Sequence, residues 1–155
     1  NNISEDKVDS TKIKINNKIL HQSKLINYFK EDASIKNITK DLNDALKKVK
    51  KDKKYFFSKK DIILLEAFKS DGIKVSEKYD DLYEINESEM PSDIQIFINN
   101  GDIATAMLRI VEVIGQDELD DIDEDTIYFI INTLNQLGVM PLRNKIILKV
   151  LPLKV

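Results

Sequence analysis

A chain of 155 residues is of single-domain size and can bury roughly 70% of its unfolded surface, and its 42% hydrophobic and 33% charged residues place it in the globular class with well-solvated faces. No apolar run approaches the ~20 residues that span a bilayer, and the absence of cysteine excludes disulfides and thiolate metal sites. The net charge of −3 hides a division: 16 lysines face 8 acidic residues up to Lys60, and 8 basic residues face 19 acidic ones beyond it. That division predicts either a basic arm for an anionic partner or one half of the fold attracting the other.

Residues 1–12 are polar, with Ile3 and Val8 as their sizeable apolar residues, and read as an arm or linker ahead of a single helical domain over 13–155. The chain begins at Asn1 without a charged-then-apolar secretory pattern, which reads as a fragment or a processed product. From Lys12 to Ile15 the residues alternate like a strand. Ile15, Ile19, Ile26 and Phe29, with Leu25 beside them, fit a helical stripe, and the preferred reading is a helix over 17–30. Ile35, Ile38, Leu42, Leu46 and Val49 recur at spacings of three and four, with Ser34 as N-cap and lysines at the end, predicting a helix over 35–51.

Ser58 stands before the apolar run Ile62 to Phe68, with Asp61 where a capping box has Glu or Gln. Asp is shorter, so an approximate box opening a helix over 59–70 is expected, and Asp71-Gly72 ends it. Residues 73–89 read as a loop with a short helix around Tyr79 to Tyr83. Pro91 opens a helix over 91–99 that stops at Asn99-Asn100-Gly101. Its Ile94, Ile96, Phe97 and Ile98 are apolar nearly all round, which predicts cover on both sides.

Asp102 caps the next helix, 103–114, whose Ile103, Ala106, Met107, Ile110, Val111 and Ile114 trace one face before Gly115. Asp123 or Asp125 opens a helix over 125–137, carried by Ile127, Ile130, Ile131, Leu134 and Leu137 and stopped by Gly138. Pro141 starts the last, over 141–150, with Leu142, Ile146, Ile147 and Val150 inward and Pro152 as a stop. Helices under ~12–15 residues are marginal alone, so each must bury its stripe on neighbours. The expected fold class is all-α, an array of short antiparallel helix pairs, either α-solenoid-like or an irregular helical bundle.

The residues offered as a partner surface are Lys47, Lys50, Lys51, Lys53 and Lys54 in a lysine run around Tyr55-Phe56-Phe57, and Asp117, Asp120 and Asp121 in a cluster of seven carboxylates over 117–125. A calcium loop starting at Asp121 fails at its sixth position, Thr126, where Gly is required, and at its twelfth, Asn132, where a bidentate Glu is required. The plainer reading is a solvated helix junction whose carboxylates favour the positive end of the next helix dipole. Basic residues interleaved with aromatics suit a nucleic-acid strand, but the run holds no Arg and no nucleic-acid motif. Phe56 and Phe57 are better read as packing under the Ser58-capped helix.

His21, the one histidine, has no acid or nucleophile pattern near it in the sequence and reads as structural. Arg109 and Glu112 form a surface pair, while Arg143 beside Asn144 is placed to hold a loop carbonyl or carboxylate. No GxSxG, HExxH, phosphate loop or dinucleotide pattern occurs, so no catalytic, cofactor or metal residue is assigned. The expectation is a non-enzymatic module for protein–protein interaction or scaffolding whose partner is another protein or upstream repeats of the same chain; the alternative is a basic amino-terminal half that binds nucleic acid or an anionic membrane surface.

Lys60-Asp61-Ile62-Ile63-Leu64-Leu65 with Asp71-Gly72, Gly101-Asp102-Ile103-Ala104-Thr105-Ala106, Ile114-Gly115, Leu134-Asn135-Gln136-Leu137-Gly138 and Leu142-Arg143-Asn144 together resemble the carboxy-terminal parts of uncharacterised alphaproteobacterial helical-repeat proteins. The resemblance covers about 60–155. It implies a helical-repeat fold and points to a periplasmic or secreted home, a cytoplasmic one staying open, and carries no catalytic residues. The Ile-, Lys- and Asn-rich texture departs from the Ala- and Leu-rich usage of those proteins and matches the codon bias of an AT-rich genome.

Overall fold

The computed structural model describes residues 13–31, 37–84, 92–114 and 121–154, and is mostly helical. Six α-helices follow in order: α1 (Ile38–Lys50), α2 (Lys59–Ser70), α3 (Ser92–Asn99), α4 (Ile103–Ile114), α5 (Glu124–Leu137) and α6 (Met140–Val150). The polar arm over 1–12, the Ser34 cap and Pro91 lie outside the described residues.

The helix expected over 17–30 is replaced by two 3-10 helices, Leu20–Gln22 and Lys24–Phe29. Ser23 interrupts them with an extended backbone, its hydroxyl donating to the Leu20 carbonyl and accepting from the Leu25 N–H. A side chain that satisfies local backbone groups in this way competes with continued α-helix. The alternation at Lys12 to Ile15 is realised in part, since Ile13–Lys14 pairs antiparallel with Leu153–Lys154 and brings the two ends of the described chain together.

Helix punctuation follows local chemistry. Gly72, Gly101 and Gly138 all adopt positive φ just after α2, α3 and α5. At Gly138 the left-handed turn lets Val139 N–H reach back to the Leu134 carbonyl at 3.0 Å, satisfying an end group that a residue with a Cβ would reach only under strain. Asp123, not Asp125, caps α5, accepting from Thr126 N–H at 2.8 Å and from the Thr126 hydroxyl at 2.9 Å. The Ser58 box is complete in spite of the shorter carboxylate. The loop after α2 carries the expected short helix as a 3-10 segment, Glu77–Leu82.

Helices distant in sequence are the closest neighbours. α2 packs most extensively on α5, and the 3-10 helix Lys24–Phe29 lies against both α1 and α6. One hydrophobic cluster runs from Leu20 to Leu151, with Ile62, Ile63, Leu64 and Leu65 of α2 buried all round because they sit between layers. Such a helix buries more than one stripe and must be central. The sequentially adjacent pairs α3·α4 and α5·α6 also pack together.

Burial corrects several expected faces. Ile96 on α3 is 56% exposed, so that helix is not covered on both sides. On α4, Ala106 and Ile110 are buried, but Ile103, Val111 and Leu108 are exposed, because α3 and α5 reach only one side of the helix. Leu142 on α6 faces outward, and Phe57 packs inward against Tyr83 while Phe56 is exposed. Adjacent residues in an extended segment point to opposite sides, so one of two consecutive phenylalanines must leave the core.

Candidate functional site

Two buried polar clusters and two exposed surfaces concentrate the chemistry of the molecule. The first cluster centres on Arg143, which is 0% exposed in the first turns of α6. Its two terminal nitrogens grip the Asp71 carboxylate at the end of α2, at 2.7 and 2.8 Å. The remaining donors reach Asn144 Oδ1 at 3.0 and 2.8 Å and Asn135 Oδ1 at 3.1 Å. All the N–H donors of the guanidinium are thereby engaged.

Tyr28 completes this cluster by donating to Asp71 Oδ2 at 2.7 Å, and the guanidinium lies 5.8 Å from the Phe29 ring centroid. Burial pushes the Asp71 carboxyl up, but the hydrogen bonds from Arg143 and Tyr28, with the guanidinium charge, outweigh it and hold the group below the usual carboxylate range. Burial, then the bond to Asp71, pushes the Tyr28 hydroxyl up to about 12. Arg143 does hold a carboxylate, as its place in the sequence suggested. With its donors spent inside the protein it clamps α2, α5, α6 and the Lys24–Phe29 segment, leaving none for a ligand.

The second cluster centres on Asp61, whose carboxylate closes the α2 capping box. Oδ1 accepts from the His21 backbone N–H at 3.0 Å and lies 2.7 Å from His21 Nδ1. Oδ2 accepts from the Tyr55 hydroxyl at 2.7 Å and the Ser58 N–H at 3.1 Å. His21 therefore does have an acid beside it, supplied from 40 residues away. Ser58 Oγ also lies near His21, at 3.4 Å, but on the same Nδ1 nitrogen that faces Asp61. A hydrolytic relay needs the acid and the nucleophile on opposite ring nitrogens, so this arrangement orients the ring and the α2 cap rather than activating the hydroxyl. Burial raises the Tyr55 hydroxyl pKa, and the adjacent Asp61 charge adds to it.

Among the surface residues singled out from the sequence, Lys47, Lys50, Lys51, Lys53 and Lys54 are all exposed at the end of α1 and in the turn after it. Lys50 turns back to hold the 3-10 helix Glu77–Leu82, donating to the Lys78 carbonyl at 2.6 Å and pairing with Asp81 at 3.5 Å. Lys59, by contrast, is buried at the start of α2, 3.1 Å from Asp125 and 4.9 Å from the Tyr128 ring centroid. A cation at a helix N-terminus is disfavoured by the dipole, and the carboxylate and ring of α5 offset it. The basic and acidic parts of the chain thus meet at Lys50 and Lys59.

Asp117 and Asp120 lie outside the described residues, and Asp121 is exposed. Asp123 and Asp125 spend oxygens on Thr126 and Lys59. Among the described residues, no group of three or more acidic or histidine side chains is placed to hold a metal ion, and no helix is long and apolar enough to cross a membrane. Arg109 and Glu112 form the expected surface pair at 3.2 Å.

The surface missed in the sequence is the outer side of α4. Ile103, Leu108 and Val111 are 51%, 64% and 61% exposed. Residues 103, 107 and 111, with 104 and 108 beside them, occupy one side of a helix at its natural spacing. Ala104 is exposed as well, and Met107 is partly covered by the core. The signal was present in composition, since Arg109 and Glu112 are the only charged residues of α4. A helix so apolar is ordinarily buried on most sides. No family model, curated protein or solved structure matches the chain.

Proposed function

We propose that this chain is a non-enzymatic helical module that binds another protein, with the outer face of α4 as its contact surface. The observation that carries the reading is the exposed apolar strip of Ile103, Leu108 and Val111 on a helix with a single charge pair. Contiguous exposed apolar surface of this kind marks interaction sites. The α3·α4 and α5·α6 pairs support the finer reading of a repeat-like, scaffolding unit. In that reading a neighbouring helical unit, in the same protein or another, covers α4.

A photo-crosslinking residue placed at Leu108 tests this in cells that express the chain. A discrete protein adduct is expected from position 108 and not from Lys48, and it disappears on Val111→Gln. Equal adduct formation at both positions, or none at either, overturns the reading.

A second reading has its own observation. Phe56, 45% exposed, follows the exposed Lys51, Lys53 and Lys54 in the turn after α1, a combination suited to an anionic surface, nucleic acid or lipid headgroups. Binding of the protein to anionic vesicles or a nucleic-acid strand that does not weaken with rising salt removes this reading, because neutralising an anionic surface is salt-dependent.

A further inference from the structure

From the turn that follows α1 we infer that this chain docks on an anionic lipid surface, with Lys47, Lys48, Lys51, Lys53 and Lys54 at the headgroups and the Phe56 ring entering the boundary beneath them. The inference rests on the second reading above and names the anionic surface which that reading leaves open. Over residues 47–54 the chain carries six lysines against one acidic residue, Asp52. All six lysines are exposed. Lys50 is held by Asp81 at 3.5 Å, whereas the other five have no ion-pair partner among the described residues. Lys47, Lys48 and Lys51 share the side of the last helical turn opposite the buried Leu46 and Val49, and Lys53 and Lys54 continue from it. Eight consecutive residues thus make one patch.

The turn is fixed from both sides. Asp52 N–H reaches the Val49 carbonyl at 3.2 Å, Tyr55 N–H reaches the Asp52 carbonyl at 3.0 Å, and Asp52 Oδ1 accepts from the Lys54 N–H at 3.0 Å. Tyr55 is tied by its hydroxyl to Asp61, and Phe57 is buried with its N–H on the Leu82 carbonyl at 2.8 Å. Phe56 stands between these two anchored neighbours and is exposed, so its outward direction is set by the fold.

The chemistry of the patch favours lipid over a nucleic-acid strand. Strands are held by arginine forks on phosphates and by several rings that stack on successive bases. Here every cation is a lysine, and of the three consecutive aromatic residues Phe56 alone is exposed. Ammonium groups on flexible stems suit a diffuse layer of anionic headgroups, because the stems cover apolar surface while the charges stay in water. A phenylalanine beside them gains by leaving water for the acyl boundary.

Phe56→Trp supplies a reporter in a chain that has no tryptophan of its own. The probes are phosphatidylcholine vesicles with about one third phosphatidylglycerol, vesicles of phosphatidylcholine alone, and a single-stranded oligonucleotide. The anionic vesicles are expected to shift the indole emission to shorter wavelength and, when their acyl chains are brominated, to quench it; the neutral vesicles do neither. Affinity for the anionic vesicles should weaken at least about tenfold between low and moderate salt. It should fall about a hundredfold in Lys51→Gln/Lys53→Gln/Lys54→Gln and about fivefold in Phe56→Ala, with helical circular dichroism kept in both.

Vesicle binding without quenching at position 56, or with unchanged affinity in the triple lysine variant, overturns the inference by placing the contact elsewhere. Equal binding of neutral vesicles overturns it by removing the need for charge. Binding of the oligonucleotide but of no vesicle overturns the lipid assignment and leaves the anionic-surface reading standing. Binding of neither overturns the inference and that reading together.

Discussion

Around α2 and α5 nearly every apolar side chain has found a neighbour: Ile62 to Leu65 on one helix and Ile127, Ile130, Ile131 and Leu134 on the other are buried. On α4, which ends ten residues before α5 begins, Ala106 and Ile110 are buried while Leu108 and Val111 face outward. Both regions are rich in aliphatic residues, so composition does not separate them. What separates them is cover: α2 is flanked by the amino-terminal segment and by α5, whereas α4 leans on α3 and α5 from one side. A stripe of apolar residues states that a face must be buried without stating that this chain buries it.

The largest expected effect lies at the clamp that holds the covered half together. Arg143→Met leaves the Asp71 carboxylate without its guanidinium, and breaking a buried pair on one side costs about 3–5 kcal/mol. The melting temperature should fall on the order of 10 °C. A loss below about 1 kcal/mol in thermal or denaturant unfolding breaks the view that this clamp organises the covered region.

The contrast sharpens within α4 itself. Ile110→Ala, in the core, should cost about 2–4 kcal/mol in urea unfolding, while Leu108→Ala, two residues away, should stay within about 0.5 kcal/mol. Equal losses at both positions mean that Leu108 is covered in the free protein.

A smaller effect is expected in acid. The folded-state pKa of Asp71 is lowered despite its burial, by its bonds to Arg143 and Tyr28. Its stabilising contribution is therefore complete above the unfolded carboxyl pKa of ~3.9 and disappears as pH falls through the lower folded value. Stability measured from neutral pH down through that window should decline more steeply in the native chain than in Arg143→Met. Parallel curves would remove the linkage.

The smallest effect concerns Tyr79, whose buried hydroxyl has no hydrogen-bond partner among the described residues. Tyr79→Phe removes an unsatisfied group and should leave stability unchanged or raise it by up to about 1 kcal/mol. A clear loss in the same unfolding assay shows that the hydroxyl is bonded in solution.

Helix positions were legible where the determinants are local. Ser58 and Asp61 announced the start of α2, Gly138 the end of α5, and Pro141 the start of α6, since each acts on backbone groups within a few residues. The segment 17–30 misled because its stripe is compatible with a helix, and the competing bonds of Ser23 leave no periodic trace. The candidate surface was half legible. The lysine run is exposed as expected, but Ile103 and Val111 of α4 were read as core and Leu108 was not singled out, since hydrophobic spacing is the same for a face that packs inward and one that stays exposed.

By itself, then, the sequence determined the mostly helical character, most helix limits and the uneven charge, all of which follow from propensities, caps and counts. Tertiary structure alone decided that Arg143 meets Asp71 across 72 residues and Asp61 meets His21 across 40. It also decided that α4 keeps an open apolar side. Local rules reach about one helical turn, whereas these pairings and this exposure depend on which helices the closing of the whole core brings together.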